Sequence, residues 1–399
     1  MSLHNTPSSE RLHIGFFGLR NAGKSSVVNA ITNQQISLVS DVLGTTTDPV
    51  KKAMELLPLG PVVIIDTPGL DDLGELGEMR VKRAKDVLKT TDIAVVVIDA
   101  QRGKTQEDVL LIDTIEQMKI PFVVVYNKSD LTDKNLHLKE NEIYVSANTG
   151  ENIEDLKNML AKISKGTKKE KPLVSDLLSN GDLVVLVIPI DESAPKGRLI
   201  LPQQMVIRDI LDHHCMCICT QVEELNTTLS SLSQKPKLVI TDSQAFGKVS
   251  KIVPNDITLT SFSIIMARYK GDLLSLVKGA KALENIKDGD KILIAEGCTH
   301  HRQCNDIGTV KMPAWIEKFT NAKPQFCFTS GTGFPETLDD FKLIVHCGGC
   351  MLNEKEMKRR MNEAQNADIP IVNYGVAIAH MNGILKRSLA PFSDVLKLL

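Results

Sequence analysis

The chain has 399 residues, 42% hydrophobic and 24% charged, with a formal net charge of -2. Single cores rarely exceed about 250–300 residues, so this length divides into two or three domains. The charge balance disfavours a nucleic-acid binder, and no run approaches the ~18–20 apolar residues of a membrane span.

The start up to Arg11 is polar and lacks the apolar centre of a signal peptide. A cytoplasmic chain is expected, whose eight cysteines stay reduced and favour metal over disulfides. From residue 12 to 163, short apolar runs alternate with amphipathic stretches. Leu12–Phe17, Val62–Asp66, Ile93–Asp99 and Pro121–Tyr126 read as buried parallel strands, and Gly77–Lys89 as a helix. That rhythm specifies a doubly wound sheet. Residues 164–172, with charge, Gly and Pro, read as a linker. Strands are then expected at Leu183–Pro189 and Lys237–Thr241, and helices at Gln203–His213 and Gln221–Leu232. A third block starts near Lys270, with strands at Lys291–Ala295, Lys342–His346 and Ile369–Asn373 and a charged helix at Asn353–Gln365. There is no repeat of fixed period. The expected class is α/β: an N-terminal doubly wound sheet, 1–166, then two further α/β domains, 167–269 and 270–399.

Gly18-Leu-Arg-Asn-Ala-Gly23-Lys24-Ser25 matches G-x-x-x-x-G-K-S between a strand and a helix-like run. Backbone N–H groups of such a loop cradle phosphates, which makes Asn21, Ala22, Gly23, Lys24, Ser25 and Ser26 the candidate contacts. Lys24 would reach the β and γ phosphates, and the Ser25 hydroxyl would ligate Mg²⁺. Asp66-Thr-Pro-Gly69 ends a strand, placing Asp66 near that metal and Gly69 near the γ-phosphate. Thr46, within Gly44-Thr-Thr-Thr-Asp48, is the expected γ-phosphate sensor through Mg²⁺. Asn127-Lys128-Ser-Asp130 follows another apolar run, and the Asp130 carboxylate would accept from the guanine ring N–H and amino groups, which adenine does not offer. Ser146 and Ala147 would close over the base. Four motifs in this order define a GTP site, with Lys24, Thr46 and Gly69 as the catalytic set.

These spans resemble the GTPases related to translation factors, especially the tRNA-modification GTPases. In that group an asparagine at the place of Asn21 helps hold K⁺ beside the phosphates, so the resemblance implies potassium-stimulated hydrolysis. Leu70 stands where Ras-like proteins carry a water-orienting glutamine, so slow, switch-type turnover is expected.

Cys298-Thr-His300 and His346-Cys347-Gly348-Gly349-Cys350 each follow an expected strand, at the sheet edge where open α/β folds bind ligands. Three thiolates with His300 and His346 fit a structural zinc or an iron–sulfur cluster with a labile or His-filled fourth position. The order Cys-x-His, a long gap, then His-Cys-x-x-Cys behind a GTPase resembles the FeFe-hydrogenase maturation GTPases, the HydF family, over nearly the whole chain. The resemblance implies a middle dimerisation domain, and hence a homodimer. It implies that Cys298, Cys347 and Cys350 hold a 4Fe–4S cluster with an exchangeable site, for which His300 and His346 are candidates. It further implies a scaffold or carrier of a transient diiron subcluster, working with other hydrogenase maturation proteins and apo FeFe-hydrogenase. The rival reading is an RNA-processing or ribosome-assembly GTPase with a structural zinc module, which calls for a basic appended domain.

Four further features read as structural. His213-His214-Cys215-Met-Cys217-Ile-Cys219 reads as a buried strand with its thiols on one face. Cys327 reads as a core strand residue, Trp315 as a packing residue and Lys355–Arg360 as a solvated helix face.

Overall fold

A computed structural model describes residues 8–34, 50–67, 84–133, 137–167, 171–190, 199–297, 307–331, 333–335, 337–349 and 352–397. It forms two compact units, 1–170 and 171–399.

The first unit is built on β1 (Leu12–Phe17), β2 (Val50–Leu56), β3 (Gly60–Asp66), β4 (Ile93–Asp99), β5 (Phe122–Asn127) and β6 (Glu142–Tyr144), in the order β2-β3-β1-β4-β5-β6. The continuous apolar runs of β1 and β4 occupy its centre. Ile14, Phe16, Phe17, Val95, Val96 and Val97 are fully buried, each such side chain contributing about 1.5–3 kcal/mol relative to exposure. One face packs the helices Lys24–Thr32 and Ile153–Thr167 through Val27, Val28, Ile31, Leu156 and Leu160. The other packs Ile115 of the helix Gln106–Gln117, whose start is fixed by a Thr105–Asp108 capping box. This is the doubly wound arrangement expected. β2, absent from the expected strands, pairs antiparallel with β3. Its exposed Lys51 and Lys52 suit an edge strand, where charge opposes pairing with another chain.

The second unit holds two parallel four-stranded sheets. The first has β7 (Leu183–Val187), β8 (Met216–Thr220), β9 (Leu238–Thr241) and β10 (Thr258–Ser261) in the order β10-β9-β7-β8. The second has β11 (Lys291–Ala295), β12 (Gln325–Thr329), β13 (Leu343–His346) and β14 (Ile371–Asn373) in the order β12-β11-β13-β14. In both, the earliest strand lies between the second and the third, so the two sheets share a topology that no sequence repeat announces. The point where strand order reverses falls at β7/β9 and at β11/β13, the crevice where such sheets bind ligands.

The helix Phe262–Lys270 joins the two halves. Phe262, Ile265 and Met266 pack with the first sheet, while Ile264 and Ala267 pack with the second. The block expected to begin near Lys270 therefore begins inside a continuous packing arrangement. β8 lies at a sheet edge, so of its cysteine run only Cys215 is buried; Cys217 is half-buried and Cys219 exposed. Cys327 on β12 and Trp315 are half-buried against the core. A cavity of about 660 Å³ is lined by Trp315, Phe319, Ile378, Met381 and Ser243 among others; none of its lining residues belongs to either candidate site. Among the described residues no helix is long and apolar enough to cross a membrane.

Candidate functional site

The nucleotide motifs gather at the carboxyl ends of β1, β3, β4 and β5. Gly23, at φ +85, ends the loop after β1, and a Cβ there would stand 2.2 Å from Asn127 Nδ2. Only glycine fits. The helix Lys24–Thr32 starts at once, aiming its N-terminus at the loop. Lys24 is 8% exposed and folds over its own loop, donating to Gly18 O at 3.0 Å and Leu19 O at 2.9 Å. Ser25 Oγ donates to Asp66 Oδ2 at 2.8 Å. The two oxygens expected beside Mg²⁺ are thus adjacent, and hard oxygen donors suit that ion.

Asn127 ties three motifs together. Its Nδ2 donates to Ala22 O at 3.1 Å and its Oδ1 accepts from Ala147 N–H at 3.1 Å, with the residue 2% exposed. Lys128, at φ +64, donates to Asn21 O at 2.9 Å and to Asp99 Oδ2 at 2.6 Å. Burial pushes the Asp99 carboxyl up, but the Lys128 hydrogen bond and charge more than offset it, so it stays below the usual carboxylate range. Asn21, at φ +61, Ser26 and Asp130 are exposed beside this network. Ser146 is fully buried and its Oγ accepts from Thr149 N–H at 3.1 Å. Thr46, Gly69 and Leu70 lie outside the described residues. Sequence reasoning missed Asp99. Its signal was an acid closing an apolar strand in register with Asn127.

In the second unit Cys347 follows β13, and its N–H donates to Ala295 O of β11 at 3.0 Å, extending the ladder at the reversal point. Cys347 Sγ accepts backbone N–H groups from Gly297 at 2.9 Å and Gly349 at 3.4 Å. Both donors need glycine. A Cβ at Gly297 would stand 2.8 Å from Leu352, and one at Gly349, at φ +63, would stand 2.6 Å from Met357 Sδ. Amide N–H groups aimed at sulfur stabilise a thiolate and tune a cluster's potential, so Cys347 fits the ligand expected of it. Cys298, His300, His301, Cys304 and Cys350 lie outside the described residues. Among the described residues no three His, Cys, Asp or Glu side chains gather into a metal site.

His346 is fully buried. Its Nδ1 lies 2.7 Å from Cys347 O and its Nε2 3.0 Å from Arg360 Nη1. Arg360 can only donate, so Nε2 accepts and Nδ1–H donates. Burial, then the Arg360 charge, lowers its pKa to about 4, so the ring is neutral. Both ring nitrogens are engaged, Nδ1 by the Cys347 carbonyl and Nε2 by Arg360.

Arg360 corrects the expectation of a solvated face: it is 1% exposed and pairs with Glu356, 2% exposed, at 2.7 Å. It also donates to Gly331 O and lies over the Phe334 ring. Burial pushes the Glu356 carboxyl up, yet hydrogen bonds from Arg359 and Arg360 hold it below its ordinary value. Its helix, Glu354–Asn366, is capped by Asn353.

The first unit is thus a P-loop GTPase domain, followed by a double α/β unit that carries a thiol at a strand-order reversal. Residues 13–128 match the family described as 50S ribosome-binding GTPase, residues 173–271 the hydrogen maturase F dimerization domain, and residues 274–391 the hydrogen maturase F tetramerization domain. The chain belongs to the hydrogen maturase F family. The tRNA modification GTPase MnmE of Legionella pneumophila (strain Corby) is 36% identical over 157 residues, 39% of this chain and 35% of that protein. The Nitrosomonas europaea MnmE is 32% identical over 158 residues, 38% and 35% of the two chains. This chain therefore spans about a third of the length of the curated relatives it matches. A solved structure of Aquifex aeolicus Era is 17% identical, covering 55% of this chain and 98% of that one, with a TM-score of 0.36, and carries no weight for function.

Proposed function

We propose that the chain is a slow, potassium-stimulated GTPase that serves hydrogenase maturation as a scaffold or carrier. It binds a 4Fe–4S cluster through Cys298, Cys347 and Cys350 and assembles or delivers the diiron subcluster to apo FeFe-hydrogenase. The observation that supports this most is the Cys347 thiol, set at the reversal point of a parallel sheet with two backbone N–H groups aimed at its sulfur. A bound cluster would supply an iron with an exchangeable position.

At the nucleotide, Asp130 selects guanine, and Lys128 and Asn127 lock the base-side loop to the phosphate loop. Lys24 exchanges its carbonyl partners for the β and γ phosphates. Ser25, Asp66 and Thr46 hold Mg²⁺, Gly69 meets the γ-phosphate, and the exposed Asn21 offers its oxygen to K⁺. Mg²⁺ and K⁺, when bound, neutralise charge on the transferring phosphoryl group. Hydrolysis then gates contacts with other maturation proteins and with the apo-hydrogenase, the chain acting in the cytoplasm as a homodimer or higher oligomer.

The gating is tested by binding of the reconstituted chain to apo FeFe-hydrogenase with GDP and with a non-hydrolysable GTP analogue, in potassium and in sodium buffer. Different affinities for the two nucleotide states, and faster GTP turnover in potassium, are expected. Equal affinities would remove the gating role, and equal turnover would remove the role of K⁺.

A further inference from the structure

Lys270 is the last residue of the helix Phe262–Lys270 and is 2% exposed. Lysine is almost never buried that far without partners, because the ammonium must replace its hydration. Two of its partners are backbone carbonyls: Nζ donates to Leu352 O at 3.1 Å and to Gly349 O at 3.4 Å. The Gly349 carbonyl belongs to the peptide that leads into Cys350. It also accepts from Leu352 N–H at 3.0 Å, while Gly349 N–H points at Cys347 Sγ from 3.4 Å. The ammonium is therefore fastened to the backbone at Gly349, whose N–H meets the Cys347 sulfur, and at Leu352.

We infer that Lys270 is a positioning residue for the iron–sulfur cluster. It holds the Gly349 and Leu352 carbonyls, and with Gly349 the N–H that meets the Cys347 sulfur, and it lays a positive charge on the Cys347 side of the cluster. The inference rests on the cluster reading given above. Reduction adds negative charge to a cluster, so a neighbouring cation favours the reduced form. Neutralising Lys270 removes one positive charge from the surroundings whatever else the ammonium touches. Gly349 links it to Cys347 Sγ by two contacts of 3.4 Å. Over about 10 Å, at an effective dielectric of about 20, one unit charge changes the ratio of reduced to oxidised form roughly tenfold.

The test uses the full chain, reconstituted anaerobically with iron and sulfide, as wild type, Lys270→Gln, Lys270→Met and Lys270→Arg. Iron content, loss of iron to a chelator, EPR line shape and midpoint potential are measured. Glutamine keeps N–H donors without charge, methionine keeps only length, and arginine keeps the charge. Lys270→Gln should retain iron but show a ratio of reduced to oxidised form roughly tenfold lower at the wild-type midpoint. Lys270→Met should in addition lose iron several-fold faster and change its EPR line shape, whereas Lys270→Arg should keep the wild-type midpoint. A wild-type midpoint in Lys270→Gln would overturn the inference, as would wild-type iron retention in Lys270→Met. If Lys270→Met does not fold, the midpoint of Lys270→Gln decides. A wild-type chain that takes up no iron overturns the cluster reading instead.

Discussion

Arg360→Met isolates the support beneath Cys347. The guanidinium, 1% exposed, loses a 2.7 Å ion pair with Glu356, a 3.0 Å bond to His346 Nε2 and the bond to Gly331 O. Breaking a buried pair by removing one partner costs about 3–5 kcal/mol, because the remaining charge stays buried. Arg359 still donates to both Glu356 oxygens at 2.8 Å, so the lower end applies, about 3 kcal/mol. For a unit of this size that is a fall in Tm of about 6–12 °C. Trp315 is the only tryptophan and belongs to the second unit, so its fluorescence follows that unit without interference from the first. The metal-free chain is unfolded by urea and by heat. The double variant Glu356→Met, Arg360→Met should be at least about 1 kcal/mol more stable than Arg360→Met alone, since no buried carboxylate is left behind. A loss below about 1 kcal/mol in the single variant, or additive losses in the double, would refute the reasoning.

Two further outcomes are expected. The metal-free second unit should lose stability as pH falls from about 6.5 to 4, because His346 stays neutral in the fold down to about 4 while the unfolded chain takes up the proton near 6.5. The unfolded state then binds more protons, and the loss reaches about 3 kcal/mol; His346→Gln should flatten this part of the melting profile, and an unchanged profile would deny the buried, neutral ring. Asn127→Ala removes bonds to Ala22 O and Ala147 N–H, about 1 kcal/mol each, and should weaken GDP binding by roughly tenfold or more in calorimetry. Unaltered affinity would show that the tie between the two loops does not shape the nucleotide site.

Central strands were legible because burial on both faces leaves an unbroken apolar run, as in Leu12–Phe17, Ile93–Asp99 and Lys291–Ala295. Edge strands were not, because one side meets solvent. β2 carries exposed lysines, and on β8 only the flanking Cys215 is buried, so the expected buried thiol face is half right. The candidate phosphate-loop and base-side residues stand out by spacing, but the Lys128–Asp99 pair joins residues whose contact depends on strand order. The run Lys355–Arg360 misled because its charge masks a helical period. Glu356, Met357, Arg360, Met361 and Ala364 share one buried face, and methionines at that spacing were the available signal. Nothing in the sequence marks Lys270, two of whose partners are backbone carbonyls distant in the chain.

The central claim is that one iron–sulfur cluster is gripped jointly by Cys298, Cys347 and Cys350. Iron, sulfide and zinc are counted per chain after anaerobic reconstitution, with EPR, for the wild type and for Cys298→Ala, Cys347→Ala and Cys350→Ala. About four irons per chain, matched by sulfide, with each single variant losing the EPR signal, is the predicted result. Stoichiometric zinc without iron, or an iron content untouched by Cys347→Ala, would contradict it.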